Sequence, residues 1–352
     1  FWLKPFLAQA PPSSQAPAFP SRAGPPPPLM LSDATSSVQS GTAADPEVGR
    51  FPSVLAGHTV WYDIFRPPTA SSISIVVFLH GWGEHSGVHR TWLSKLCLSG
   101  HVVGALDYVG FGRSAGPHGP QGWVRSWSGL VSDAEAFVEL LRERFGRSRP
   151  VFLIGFSTGG LLAAHLAVRD AARQDNGRTF DGVVIASGLL DSKLLRLKSW
   201  WTVLQKSTLA YLGALNSVLP RLSFPALSLL SPEDLTTDRA LFDQILQDPL
   251  SINLDARFSV RTFRELTDAV LWLTDDRAAT VRIPLLVLHG TEDMVCSLPA
   301  AESFLHAAGS KDKEFVALEG YDHLLLHREP FREDSAARIA AFLERLVPIS
   351  RL

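Results

Sequence analysis

VFLIGFSTGGLLAAHLAVRDAAR, residues 151–173, decides the fold. Val151 to Gly155 is a short continuous apolar run, the pattern of a strand buried on both faces. Gly159 to Arg173 is rich in small residues and reads as a helix. Between them stands Gly155-Phe156-Ser157-Thr158-Gly159-Gly160. A G-x-S-x-G turn between strand and helix has a steric logic. The serine occupies a sharp, strained turn, and the flanking glycines leave room for strand and helix to approach. The first N–H groups of the helix then face the place where negative charge develops. The five-residue pattern alone is weak evidence. Its placement between a buried strand and a helix makes Ser157 a candidate nucleophile.

The same rhythm extends outward in both directions. Thr59 to Phe65 alternates like a half-buried strand. Ile73 to Leu79, His101 to Leu106, Val183 to Ala186, Leu285 to Leu288 and Glu314 to Leu318 read as further strands. Val88 to Ser99, Leu130 to Phe145 and Ser335 to Leu346 carry apolar residues at helical spacing. Strands alternating with helices predict an α/β class, a mostly parallel central sheet with helices on both faces.

A serine nucleophile needs a base, and the base needs an orienting carboxylate. On an elbow fold they follow in the order Ser, Asp or Glu, His. Leu285 to Leu288 runs into His289-Gly290-Thr291-Glu292-Asp293, and ligands gather at the C-terminal ends of such strands. Asp293 is the chosen acid, with Glu292 as its neighbour and rival. Glu314 to Leu318 runs into Glu319-Gly320-Tyr321-Asp322-His323, which makes His323 the base and His327 its rival. His80-Gly81-Trp82-Gly83 follows another strand and offers the Trp82 backbone N–H as an oxyanion donor. His80, His85 and His89 do not form H-E-x-x-H and bring no companion Cys or carboxylate set, so no metal is expected. The glycines lack the Lys-Ser/Thr of a P-loop, and no cofactor is expected.

The chain has 352 residues, a formal net charge of −2, 46% hydrophobic and 19% charged residues. With a pI near 6.6 it carries no electrostatic footprint for nucleic acid. No apolar run approaches a membrane span. Cys97 and Cys296 cannot build a disulfide framework, which favours a reducing compartment. Ten of the 24 prolines fall in the first 50 residues, so 1–54 is expected to be a Pro-rich leader without fixed structure. The chain starts at Phe1, which points to a fragment or processed product, with FWLKPFLA as the tail of a targeting segment. Residues 55–190 and 282–352 form the expected core. Residues 191–281 break the rhythm and read as an inserted, mainly helical cap. Trp200 and Trp201, near Lys193, Arg196 and Lys198, give that cap a surface suited to a lipid interface.

HGWGEHSG (80–87), DYVGFGRSAG (107–116), GFSTGG (155–160), PLLVLHGTED (284–293) and EGYDHLLLHRE (319–329) together resemble the monoacylglycerol lipases and lysophospholipases of the α/β-hydrolase superfamily. SPEDLTTD (231–238) and DPL (248–250) resemble parts of that family's cap. The resemblance covers about residues 55–347. It implies an α/β-hydrolase fold with Ser157 as nucleophile, Asp293 as triad acid and His323 as base. The backbone N–H groups of Trp82 and Thr158 match the oxyanion hole. The family's elbow usually has His before the serine and Met after it. Here Phe156 and Thr158 stand there, which alters pocket shape and leaves the backbone donors in place.

The expectation is therefore a serine hydrolase of lipid esters, monoacylglycerol first, working through an acyl-enzyme. It would be cytoplasmic and peripherally membrane-associated through its cap. Lysophospholipid hydrolysis and acyl transfer use the same triad and stay open, as does a non-catalytic binding role on the same fold. Oligomeric state, head group and acyl length are not legible.

Overall fold

The computed structural model describes residues 45–68, 72–116, 121–173, 179–190, 216–225, 232–251 and 257–347. The chain enters through strands β1 (Glu47–Pro52), β2 (Thr59–Phe65) and β3 (Ser74–Leu79), then helix α1 (Arg90–Leu98) and strand β4 (His101–Asp107). Helix α2 (Trp127–Phe145), strand β5 (Val151–Phe156), helix α3 (Thr158–Ala171) and strand β6 (Gly182–Ala186) follow. Next come β7 (Ser223–Pro225), α4 (Pro232–Leu235), α5 (Arg239–Gln247), β8 (Arg257–Ser259), α6 (Val260–Trp272) and α7 (Asp275–Ala278). Strand β9 (Leu285–Gly290), helix α8 (Leu298–Ala307), strand β10 (Lys313–Leu318) and helix α9 (Phe331–Leu346) complete the order.

Eight strands form one sheet in the order β1-β2-β4-β3-β5-β6-β9-β10. β1 and β2 pair antiparallel, β2 meets β4 antiparallel, and the remaining pairs are parallel. Every residue of β3, β5, β6 and β9 is buried. Their unbroken apolar runs follow from having both faces covered. Side-chain alternation splits β3 between two cores. Ile75, Val77 and Leu79 join Phe137 of α2, Leu162 of α3 and Phe304 of α8 on one face. Val76 and Phe78 join Trp92 of α1 and Phe342 of α9 on the other. This is the α/β-hydrolase architecture that the sequence predicts.

Two elements of the core escaped the sequence reading, as did the short β7–β8 pair outside it. β1 lies within the stretch read as leader, so the fold begins before residue 55. It is an edge strand with only Phe51 buried, held by pairing with β2 and by Phe51 stacked on Phe137 at 6.2 Å between ring centroids. α8 lies between the acid loop and β10. Its start is marked by Ser297, whose side chain caps the Ala300 N–H, and by Pro299 in the first turn.

Helices α4 to α7 and the antiparallel pair β7–β8 fall between β6 and β9, where the cap is expected. Trp200, Trp201 and most of the Leu-rich block around them lie outside the described residues. α6 rests on the core: its Thr262 hydroxyl accepts the Val124 N–H at 2.9 Å and its Glu265 accepts the Trp127 N–H at 2.7 Å.

Candidate active site

The elbow is built as its glycines require. Ser157 is the N-cap of α3 and one of only two non-glycine residues of positive φ among the described residues, with φ 53° and ψ −118°. That conformation is costly for an L-residue and persists only where the surroundings enforce it. A Cβ at Gly155 would strike the Gly159 carbonyl, and one at Gly159 would strike the Leu79 carbonyl of β3. The backbones thus touch where a side chain has no room, and the serine is held at the C-terminal end of β5. Thr158 opens α3, so its N–H lies in the first turn, where helical donors lack intrahelical partners.

The predicted partners converge on Ser157. His323 Nε2 lies 3.0 Å from Ser157 Oγ, and His323 Nδ1 lies 2.9 Å from Asp293 Oδ2. With its Nδ1–H donating to the carboxylate, the imidazole turns the Nε2 lone pair to the serine hydroxyl. Asp293 Oδ1 accepts the Val295 and Cys296 N–H groups at 2.9 and 2.8 Å. Burial pushes the Asp293 carboxyl up, but the His323 imidazole, His289 and these donors outweigh it and bring its pKa to about 2. Burial also disfavours charge on His323, yet the Asp293 carboxylate dominates and raises that pKa well above its ordinary 6.5. Glu292, the rival acid, is exposed. Cys296 is buried beside the triad, within 4.8 Å of the ligating atoms of Asp293 and His323.

His327, the rival base, belongs to a second carboxylate–imidazole group. Glu84 Oε1 lies 2.7 Å from His327 Nε2, and Glu84 Oε2 lies 2.9 Å from His89 Nε2. The same carboxylate accepts the Gly81 N–H at 3.1 Å, one residue before Trp82. The Trp92 indole N–H donates to His89 Nδ1 at 3.1 Å, so the His89 proton sits on Nε2, facing Glu84. Burial lowers the His89 pKa to about 4, despite Glu84. Burial raises the Glu84 carboxyl less than His327 and His89 lower it, and it stays well below the usual range. Glu84, His89 and His327 have the residue types of a metal set. Their facing atoms are already engaged as donors and acceptor within the group. Sequence reasoning missed Glu84 as an organiser; its only local signal is its place three residues after Gly81.

Phe156 links the two groups. Its ring packs against His323, His327 and His89, at 5.3, 5.1 and 6.0 Å between centroids. His80 has a structural part. Its Nδ1 meets the Gly81 carbonyl at 2.7 Å, and its Nε2 accepts the Tyr108 N–H at 3.3 Å. Arg113 threads the buried Asp63 and Asp107 together behind the oxyanion loop. The cap is tied to this machinery twice. His85 Nε2 donates to Asp248 Oδ2 at 2.8 Å, and the Thr236 hydroxyl donates to Asp322, next to His323, at 2.7 Å.

The sequence profile described as Serine aminopeptidase, S33 (Hydrolase_4) matches residues 70–330. The chain belongs to this family. Among curated relatives, the human monoglyceride lipase is 29% identical over 268 residues, covering 74% of this chain and 78% of that protein. A phospholipase of Bacillus subtilis is 26% identical over 275 residues, covering 78% of this chain and 96% of that protein. A crystal structure of a soluble variant of the Saccharomyces cerevisiae monoglyceride lipase superposes with a TM-score of 0.71 at 20% identity. It covers 87% of this chain and 97% of that one, a likeness of fold. As an S33-family hydrolase with these relatives, the chain is a serine ester hydrolase.

Proposed function

We propose that the protein hydrolyses lipid carboxylic esters, monoacylglycerol foremost, through an acyl-enzyme on Ser157. The observation that carries this reading is the single imidazole of His323, bonded to Ser157 Oγ on one side and to Asp293 on the other. The human and Bacillus relatives, a monoglyceride lipase and a phospholipase, support a lipid ester as substrate.

Ser157 Oγ attacks the ester carbonyl as His323 Nε2 takes its proton. Asp293 holds the tautomer and stabilises the imidazolium. The tetrahedral oxyanion is received by the Trp82 and Thr158 N–H groups, each such donor worth about 3 kcal/mol in the transition state. His323 then returns its proton to the departing alcohol. Water, deprotonated by the same imidazole, releases the fatty acid from the serine. The Glu84 group keeps Trp82 and His323 in register through Gly81 and His327.

The Bacillus phospholipase favours lysophospholipid as the second substrate class. An alcohol acceptor in place of water would give acyl transfer from the same intermediate. We read the enzyme as cytoplasmic and peripherally membrane-associated through its cap. No described helix is long and apolar enough to cross a membrane. The test is a hydrolysis panel of mono-, di- and triacylglycerols, lysophospholipids and short p-nitrophenyl esters, run on wild type and Ser157→Ala. Monoacylglycerol turnover lost in the variant is the expected result. Retained turnover, or a fluorophosphonate adduct on another serine, would sink the assignment.

A further inference from the structure

A cavity of about 640 Å³ opens between the β1–β2 turn, the loop before α2 and the cap. None of the triad or oxyanion residues lines it. Its walls carry Arg125, Arg221, Arg261, His58 and Trp123. Three guanidinium groups meet there with one carboxylate in contact. Glu265 lies 3.1 Å from Arg261 Nε and also accepts the Trp127 N–H. Arg261 donates to the Arg125 carbonyl at 2.9 Å, which fixes its position beside Arg125. Arg221 lies over the Trp123 ring, 5.3 Å from its centroid. Neither Arg125 nor Arg221 has a carboxylate partner among the described residues, and the Trp123 indole N–H is buried without an acceptor among them.

Exposed apolar residues adjoin the lining residues of the cap in sequence. Leu219 and Leu222 flank Pro220 and Arg221 in sequence and are 50% and 47% exposed, and Val218 is 76% exposed. Val54, two residues before the lining residue Ala56, is 54% exposed. Guanidinium groups match phosphate oxygens in a bidentate fork. A soluble anion would use the arginines and leave the leucines in water. An anionic phospholipid satisfies both, its phosphate among the arginines and the bilayer interface against Val218, Leu219 and Leu222.

We infer that Arg125, Arg221 and Arg261 form a second lipid site, separate from the catalytic serine, that holds the phosphate of an anionic phospholipid and seats the cap on the membrane. This rests on the membrane-surface reading given above. The site would keep the enzyme at the surface where its ester substrate resides, without cleaving the lipid it holds.

The experiment measures flotation of the full chain, carrying Ser157→Ala so that no lipid is consumed. The vesicles are phosphatidylcholine alone or phosphatidylcholine mixed with phosphatidylglycerol. Wild-type surface residues should bind the mixed vesicles more tightly, and added salt should erase the difference. Arg125→Gln with Arg221→Gln should weaken mixed-vesicle binding by about 30-fold, roughly fivefold per arginine, and spare the neutral vesicles. Leu219→Ser with Leu222→Ser should weaken both vesicles alike. Thermal melting checks that each variant is folded. Undiminished preference in the arginine variant overturns the site. Equal binding of both vesicles by the unaltered surface also overturns it, while leaving the membrane reading standing. Binding of neither vesicle removes the membrane reading itself. Thermal stabilisation by inorganic phosphate without vesicle binding overturns the lipid in favour of a soluble anion.

Discussion

Glu84 and His327, 243 residues apart in sequence, are joined by a 2.7 Å hydrogen bond, and the Phe156 ring packs against both His327 and His323. One carboxylate thereby sets two loops at once, because it also accepts the Gly81 N–H of the oxyanion strand-end. Replacing Glu84 with Gln keeps the shape but turns an amide toward imidazole N–H groups that need acceptors. The expected result is a fall in kcat of about 10²-fold with KM little changed, as for a sub-ångström misplacement of reacting groups. Steady-state kinetics on a short soluble ester measure it. An unchanged kcat would show that Gly81 and His327 hold their places unaided.

The Asp293–His323 pair sets the pH profile. The base acts in its neutral form, so kcat/KM should rise with pH through the His323 pKa. Asp293 raises that pKa, which places the ascending limb above pH 6.5. Asp293→Asn removes the charge that does most to oppose burial, and the limb should move down in pH. The same change releases the tautomer, so the rate should fall by about 10⁴-fold. A pH–rate series on both proteins gives the two shifts together.

Asp133 gives a stability prediction of the opposite sign from that of most acids. It is buried on α2, where it accepts the Ser53 hydroxyl and the Val54 N–H at 2.7 and 2.8 Å. Burial outweighs both bonds and raises its pKa from 3.8 to about 6. Between these values the folded state binds more protons than the unfolded chain, so stability falls as pH rises. Asp133→Asn should therefore leave stability unchanged near pH 4 and raise it by about 1–3 kcal/mol at pH 8. Urea melts at the two pH values decide it.

The elbow has no room for a methyl group. Gly159→Ala would drive a Cβ into the Leu79 carbonyl of the neighbouring strand. Backbone cannot swing aside as a side chain can, and a loss of about 3 kcal/mol or more is expected. The readout is the urea midpoint, or the soluble yield if the protein no longer folds.

The candidate triad was legible because each member is announced locally. Ser157 has glycines at fixed offsets, and Asp293 and His323 each follow a buried strand. Of the two acids it is Asp293 that meets His323, while the preceding residue, Glu292, is exposed to solvent. Glu84 was not legible. Its partners lie 3, 5 and 243 residues away, and no short pattern encodes the last of these. β1 was hidden for a related reason. An edge strand buries one face at most, and only its pairing with β2 distinguishes it from the Pro-rich stretch before it. The arginine cavity is likewise assembled from three distant segments, none basic enough alone to attract notice.

Phe156 ends the strand that led to the fold, and its ring has a consequence for proton traffic. It packs on three imidazoles, two serving Glu84 and one serving Asp293. A benzene ring neither gives nor takes a proton. His323 engages both of its ring nitrogens, one with Ser157 and one with Asp293, so neither is turned toward this ring. With phenylalanine there, the ring insulates one group from the other. In the proposed mechanism the proton taken from Ser157 therefore stays on His323, poised to return to the leaving alcohol.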